Sequence, residues 1–507
     1  MRVLNLRMTS LAMAIAGTAG VFPADVLAEG WRVETGVTTR AIASDNINFS
    51  PTAPSSDTLL ELNPTVRVTR RSPRLTLDAA YTPRYLYYTQ DTYDSRLSQD
   101  FNGNGRFEVI DDFMFIDARA VSAQRNQSVF NAVPTDATLA ANQLSRTRTY
   151  SFTPSFMGTV RLGDVATWRS NYNMLRSETS GLAANTLTSE TFNGSLASYP
   201  ARLGWKVDVM SNRTESDRSA SVDRKSIVGS LIYRPDATAD FTVRYGYEDT
   251  NFSSQRSGST YGLGMGWNPS ERTTFRADYD QRPYARTNNV NLTHRLPRTS
   301  FTASYSRNLT NRAEQLLSPT GTTDLVQTLS LIEPFASEPD PVLRQQMIEA
   351  YLRANGLSRY VVGLSPILSD RQYLQTRWQL SATRTGPRNT LSLSVFQTES
   401  DGGIGAIGPA VGDDFAASRV IRQRGWTATY SHRMGSVSSL SLSFTSSKSD
   451  GRTQTLSSDR DVLNTTWSTQ FSPRTTGSIG LRMTRATVTA GDVDENAVIA
   501  TLSTMFN

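Results

Sequence analysis

The 507-residue chain has no cysteine. That excludes disulfides, a thiol nucleophile, cysteine-ligated metal or haem, and a lipidated cysteine anchor. Histidine is scarce, with His294 and His432 alone, so the commonest general base of hydrolytic chemistry has two places to act from. Lysine is nearly absent: Lys206, Lys225 and Lys448 stand within a lysine plus arginine total of 52. Long apolar runs are missing as well. Hydrophobic residues make up 38% of the chain, mean hydropathy is −0.39, and nothing reaches the ~20 apolar residues of a membrane helix.

The longest apolar stretch, Met8 to Phe22, is broken by Gly17 and Gly20 and follows Arg2 and Arg7. It runs into Pro23-Ala24-Asp25-Val26-Leu27-Ala28. A basic start, a short apolar middle and small residues before a cut are the pattern of a secretory leader. Residues 1–28 are therefore expected to be a cleaved signal peptide, and 29–507 the mature domain. An exported chain of this size without disulfides needs another source of stability, and a closed sheet in lipid is one. The net charge of +6 is carried by arginine, which binds carboxylate and phosphate bidentately and suits an anion-facing interior.

What is present in abundance is alternation with period two. Trp31, Val33, Thr35 and Val37 alternate with Arg32, Glu34, Gly36 and Thr38; Phe241, Val243, Tyr245 and Tyr247 with Thr242, Arg244, Gly246 and Glu248; Tyr261, Leu263, Met265 and Trp267 with Gly262, Gly264, Gly266 and Asn268. Soluble sandwiches alternate too, but their strands average ~5–6 residues. These segments run to about twice that, as tilted membrane strands do, and aromatics gather near their ends. The fold expected is all-β: a transmembrane antiparallel up-and-down β-barrel in the outer membrane of a Gram-negative bacterium. About 22 segments can be counted, within a range of 20 to 24; those near 113, 222 and 287 are weak.

The connections support the count. With the N-terminus in the periplasm, even-to-odd connections should be short turns and odd-to-even ones free to be long. Arg71-Ser72-Pro73-Arg74, Arg234-Pro235-Asp236, Asn268-Pro269-Ser270, Leu296-Pro297-Arg298, Gly386-Pro387-Arg388 and Ser472-Pro473-Arg474 all fall on the short side, where proline presets a tight turn. Val498, Ala500, Leu502 and Phe506 share a face of the last strand, which is expected to engage the barrel assembly machinery, with Asn507 following.

Residues 310–370 break the pattern and are expected to form a long extracellular-side loop. Within it, about 341–355 reads as a helix, with Asp340 as cap, Pro341 in the first turn and Gly356 at the end. Leu343, Met347 and Tyr351 share a face, with Ile348 and Leu352 beside them. That face is expected to fold against the lumen as a constriction; the alternative is an external cap.

Candidate chemistry is thin. Both histidines share parity with apolar neighbours, which places them in a lipid-facing girdle at the periplasmic rim, so no enzyme is expected. Asp100, Asn102, Asn104, Gly105, Glu108 and Asp111 match a calcium-loop spacing, but the same residues alternate as a strand, which would spread them over ~30 Å; no metal or cofactor is assigned. Parity nominates Arg32, Arg67, Arg84, Arg169, Arg244, Arg276, Arg377, Glu61, Asp78, Glu248 and Asp278 as lumen-facing. Nucleic-acid binding has no supporting motif.

Four stretches carry a resemblance: Ser44-Asp45-Asn46-Ile47-Asn48, Leu62-Asn63-Pro64, Asp112-Phe113-Met114-Phe115-Ile116-Asp117-Ala118, and Asp340-Pro341 through Ala354-Asn355-Gly356-Leu357. Through them, and over nearly the whole mature chain, the sequence resembles the PEP-CTERM system-associated outer-membrane proteins, a group within the β-barrel porins found near exopolysaccharide loci. The resemblance implies an outer-membrane barrel linked to extracellular polysaccharide, and carries no catalytic residues. The expectation is a porin-like channel associated with exopolysaccharide export, in contact with outer-membrane lipid, lipopolysaccharide and polysaccharide export components. A docking barrel without an open pore is the alternative, and a sheath for a multihaem cytochrome a further one.

Overall fold

A computed structural model describes residues 30–506, apart from 127, 132–143, 163, 182–183, 200–201, 253–256, 318–322, 340, 355–356, 358–359, 362–366, 368, 405–412 and 453–455. The leader expected over 1–28, the cap Asp340, Gly356 and Asn507 lie outside the described residues.

Twenty-two long strands form one sheet. They are β1 Trp31–Ser44, β2 Asp57–Arg71, β3 Leu75–Tyr88, β4 Arg96–Ile110, β5 Met114–Asn126, β6 Leu144–Leu162, β7 Asp164–Ser180, β8 Asn185–Ser198, β9 Leu203–Ser216, β10 Ser219–Tyr233 and β11 Ala239–Thr250. The second half comprises β12 Ser257–Ser270, β13 Thr273–Gln281, β14 Arg286–Leu296, β15 Thr299–Thr310, β16 Tyr373–Thr385, β17 Asn389–Asp401, β18 Val420–Arg433, β19 Ser438–Gly451, β20 Ser457–Ser472, β21 Thr475–Val488 and β22 Gly491–Met505. The weak segments near 113, 222 and 287 are strands β5, β10 and β14. Each strand pairs antiparallel with its chain neighbours, and β1 pairs with β22 from Gly36↔Met505 to Ser44↔Ala497. The sheet therefore closes with no free edge, which is what a sheet in lipid requires.

Parity sorts the two faces. On β11, Phe241, Val243, Tyr245 and Tyr247 are exposed outward while Glu248 is buried. Outward Leu231, Val243, Leu263, Leu380, Leu393 and Leu481 make an apolar belt. Tyr233, Phe241, Trp267, Phe301 and Phe471 ring one end of it, and Tyr85, Tyr150, Tyr247 and Tyr261 the other, the two interfacial girdles of an outer-membrane barrel. No described helix is long and apolar enough to cross a membrane; the crossing is made by strands. Even-to-odd connections are never longer than the five residues 234–238, whereas the opposite end carries 45–56, 402–419 and 311–372. The short-turn end faces the periplasm.

Segment 311–372 is the departure from the barrel. It contains helices α1 Arg312–Leu317, α2 Leu325–Leu329 and α3 Pro341–Ala354, and a two-residue pairing of Thr323–Asp324 with Tyr360–Val361. α3 ends one residue before the expected boundary.

Candidate functional site

The insert leaves β15 at its loop end, yet its middle lies at the other end of the barrel. Glu333 N donates to Pro297 O at 3.2 Å, in the short turn before β15. Ser300 Oγ donates to Thr328 O at 3.4 Å, and the Tyr351 hydroxyl hydrogen-bonds Thr390 Oγ1 at the start of β17. Ser300 is the second of the 12 residues of β15, Thr299–Thr310, which is about 40 Å of strand at ~3.4 Å per residue. The insert thus runs the length of the lumen. It also crosses it: Glu349 on α3 lies within electrostatic reach of Arg67 on β2.

This corrects the loop reading in two ways. The helix sits at the periplasmic end, because 62 residues are ample to travel there and return. Its buried face is centred on Ile348 and Leu352, with Met347 and Tyr351 at the margin and Leu343 exposed. Leu325, Val326, Leu329, Ile332, Phe335 and Leu357 complete that core. Every residue in it belongs to the insert. The wall offers hydroxyls instead: Ser300, Thr383, Thr390, Ser392 and Ser431 are buried, and Ser381–Ser394 at 3.2 Å and Thr383–Ser392 at 3.1 Å bond across strands.

At the loop end a second set of contacts joins the insert to neighbouring loops. Arg312 on α1 hydrogen-bonds Thr179 of β7 and pairs with Asp370 at 3.4 Å. Burial raises the Glu314 carboxyl above its ordinary value, with the Arg224 guanidinium drawing it back. Asp413 caps α4, Asp414–Ala417, by accepting from Phe415 N at 3.0 Å, and takes the Ser369 hydroxyl at 2.7 Å. Asp414 accepts from Ser128 Oγ at 2.6 Å and Val129 N at 3.2 Å. Three loops are thereby tied together over Phe130, Ile367, Tyr373 and Phe415.

Against β7–β13 the lumen keeps a cavity of about 490 Å³, lined by Arg169, Asp208, Arg224, Arg244, Asp280 and Arg282 with smaller polar residues. β12 contributes Thr260 to its lining, and the rest of that strand's inner face is Gly258, Gly262, Gly264 and Gly266. Gly262 pairs with Arg244 on one side and Asp280 on the other. Across it Arg244 Nε donates to Asp280 Oδ1 at 2.9 Å and Nη2 to Asp278 Oδ1 at 2.8 Å. Above, the fully buried Glu248 accepts from Arg224, from Arg282 Nη1 at 3.0 Å and from the Tyr284 hydroxyl at 3.3 Å. Burial pushes the Tyr284 phenol up to about 12. Alternating guanidiniums and carboxylates give donors and acceptors at one surface, which can hold hydroxyl-rich or anionic solutes.

The other nominated residues are dispersed around the inner wall. Arg67 chelates Asp78, with Nε–Oδ1 at 3.0 Å. Arg84 pairs with Asp100 at 2.8 Å, Arg32 with Glu34 at 2.8 Å, and Glu61 with Arg40 at 3.9 Å. Arg377 donates to Gln379 at 2.7 Å. Arg169 and Arg276 make no ion pair with a described residue. Arg224, Arg282, Tyr284 and Asp280 were not nominated; strand parity on β10 and β13 would have found Arg224 and Asp280, whereas Arg282 and Tyr284 sit in a connection. Of the calcium-spaced residues, Asp100, Asn102, Asn104, Gly105 and Glu108 lie along β4, as the strand reading had it, and Asp111 lies in the turn that follows. His294 and His432 face outward, bonded to Thr273 Oγ1 at 2.9 Å and to Asn389.

No family model matches the chain, and no curated protein matches its sequence. Among solved structures it is similar to the siderophore receptor PirA from Pseudomonas aeruginosa, at 11% identity over 94% of this chain and 80% of that one, with a TM-score of 0.39. A mutant ferric enterobactin receptor of the same organism, in complex with enterobactin, gives 9%, 93%, 81% and 0.46. The FrpB iron transporter from Neisseria meningitidis gives 10%, 95%, 82% and 0.48. The closed strand order, the apolar belt and its two girdles make this chain a 22-stranded outer-membrane β-barrel.

Proposed function

We propose that the barrel is a porin-like channel whose pore is occluded by the middle of its own insert, 325–357, and opens when that middle is displaced. The observation that carries this is the self-contained core of the insert. A permanent filling would share apolar contacts with the wall. The middle of this one, 325–357, keeps Ile348, Leu352 and Phe335 among its own residues and meets the wall through hydrogen bonds to Pro297, Ser300 and Thr390, while the two ends of the insert pack on the wall, Ala313 with Leu175 and Leu187 and Ile367 with Ile421. Water can replace such bonds at little net cost, so displacement leaves both surfaces intact.

The solute we favour is a hydroxyl-rich polymer, in keeping with an association with exopolysaccharide export. A wall of serine and threonine offers many weak, equivalent hydrogen bonds, along which a chain slides without being trapped. Polysaccharide export components would be the periplasmic partners, and the terminal strand carrying Val498, Leu502 and Phe506 the segment engaged by the assembly machinery. The docking reading is favoured by one observation, the passage of the insert along the lumen. A cytochrome sheath is disfavoured by the same observation, because the insert occupies the space a haem protein needs.

Planar-bilayer recordings of purified protein test the channel. Deleting 330–360 should turn rare openings into a steady conductance. No conductance from either protein contradicts the channel and leaves docking.

A further inference from the structure

Seven of the ten short connections contain an arginine: Arg74, Arg202, Arg234, Arg272, Arg298, Arg388 and, in the last, Arg474. Four acidic residues, Asp111, Asp112, Asp236 and Glu271, share that end. Four of the turns read Pro-Arg, at Pro73-Arg74, Pro297-Arg298, Pro387-Arg388 and Pro473-Arg474. Proline is explained by the turn. Arginine is not: tight turns favour glycine, asparagine, aspartate and serine, so the guanidinium answers some other demand.

Part of that demand is internal. Arg474 Nη1 donates to Phe506 O at 3.1 Å, and Arg74 pairs with Asp111 at 2.6 Å. Arg272, Arg298 and Arg388 differ. They occupy three successive short turns, all three are exposed, and their side chains make no hydrogen bond or ion pair with a described residue. Just beyond them along the wall stand the outward Trp267, Leu296, Phe301 and Leu391. Elsewhere on the rim, Arg202 lies 5.9 Å from the ring centroid of Tyr233, and Arg70 4.9 Å from that of Trp31. Arginine and lipid-facing aromatics are therefore side by side at one depth.

We infer that the arc of Arg272, Arg298 and Arg388 binds the phosphate headgroups of anionic phospholipids in the periplasmic leaflet. A free guanidinium offers the paired donors that phosphate accepts, the apolar belt beneath takes the acyl chains, and a bilayer headgroup region meets this rim along its whole circumference. Their place beside the exposed Trp267, Leu296, Phe301 and Leu391 of the lipid-facing wall favours a headgroup over an acidic polymer entering the lumen.

The test uses the full-length barrel, refolded into vesicles of phosphatidylcholine with phosphatidylglycerol, then extracted in mild detergent and weighed by native mass spectrometry for retained lipid. Wild type should retain phosphatidylglycerol over phosphatidylcholine by about fivefold or more, since even one arginine near an anionic surface contributes roughly a factor of five. The triple variant Arg272→Gln, Arg298→Gln, Arg388→Gln should lose that preference while keeping the heat-resistant gel mobility of a folded barrel. Equal retention of the two lipids by wild type overturns the inference. So does an unchanged preference in the variant.

Discussion

Arg244 and Asp280 stand two strands apart, and their side chains meet at 2.9 Å over Gly262, which pairs with both. A Cβ on Gly262 would collide with Asp280 Oδ1 and lie 2.7 Å from Tyr279 O. The carboxylate could swing aside; the Tyr279 carbonyl, part of the sheet, could not. Gly262→Ala is therefore expected to cost about 1–3 kcal/mol, the usual range for overpacking, measured as a lower urea midpoint of the refolded barrel. Gly258→Ala, which meets the edge of Pro283 at 3.2 Å, should cost less.

Glu248 holds Arg224 and Arg282 at once, with no exposure of its own. Removing it leaves two guanidiniums facing each other, and breaking a buried pair typically costs about 3–5 kcal/mol. Arg224 and Arg282 keep some contact with lumen water, so the lower figure applies. Glu248→Ala should destabilise more than Arg282→Ala in the same unfolding assay. In the double variant the two losses should not add, because both report one network.

The loop-end contacts should depend on pH. Burial pushes the Asp414 carboxyl up to about 6, against its bonds from Ser128 and Val129 and with the neighbouring Asp413 charge adding to the rise. Burial raises Asp413 as well, with Ser369, Phe415 N and Arg371 opposing and Asp370 adding. An acid whose value is raised in the joined state holds its proton more tightly there. The joined state is thus strongest near pH 4, weakens as pH rises toward about 6, and is level above. Hydrogen exchange at Val129 and Phe415 should be slower at pH 5 than at pH 7.5 after correction for intrinsic rates. Asp414→Asn should flatten most of the difference.

The insert and the barrel should fail separately. Leu352 and Ile348 are buried among insert residues, where Leu→Ala truncation costs about 2–5 kcal/mol. Leu352→Ala should loosen the insert and raise basal conductance while the barrel keeps its gel mobility. A variant that loses barrel stability instead would show that the insert is part of the barrel's own framework.

Much of the barrel was legible in the sequence because a membrane strand is written locally. Period-two alternation places Phe241 and Val243 outside and Arg244 inside whatever the rest of the chain does, and proline marks turns such as Pro297 and Pro387. The path of the insert was not legible. Nothing near Asp340 or Leu343 records that the chain re-enters the lumen, and the face centred on Ile348 and Leu352 differs from that of Leu343, Met347 and Tyr351 by a rotation that α-helical periodicity leaves open. Nor does parity say which inner residues meet. It put Arg244 and Asp278 on one face, but their contact depends on register across β12 and on the missing side chain at Gly264. Arg282 and Tyr284 lie between strands, where parity has no hold.

The central claim is that the middle of the insert is a movable occlusion. A chain without cysteine allows a clean test: place cysteines at Tyr351→Cys and Thr390→Cys, join them with a short reducible crosslinker, and record conductance before and after reduction in one bilayer. The crosslinked protein should be silent and the reduced one should open. Equal conductance in the two states, or silence that persists both after reduction and after deletion of 330–360, would contradict the account.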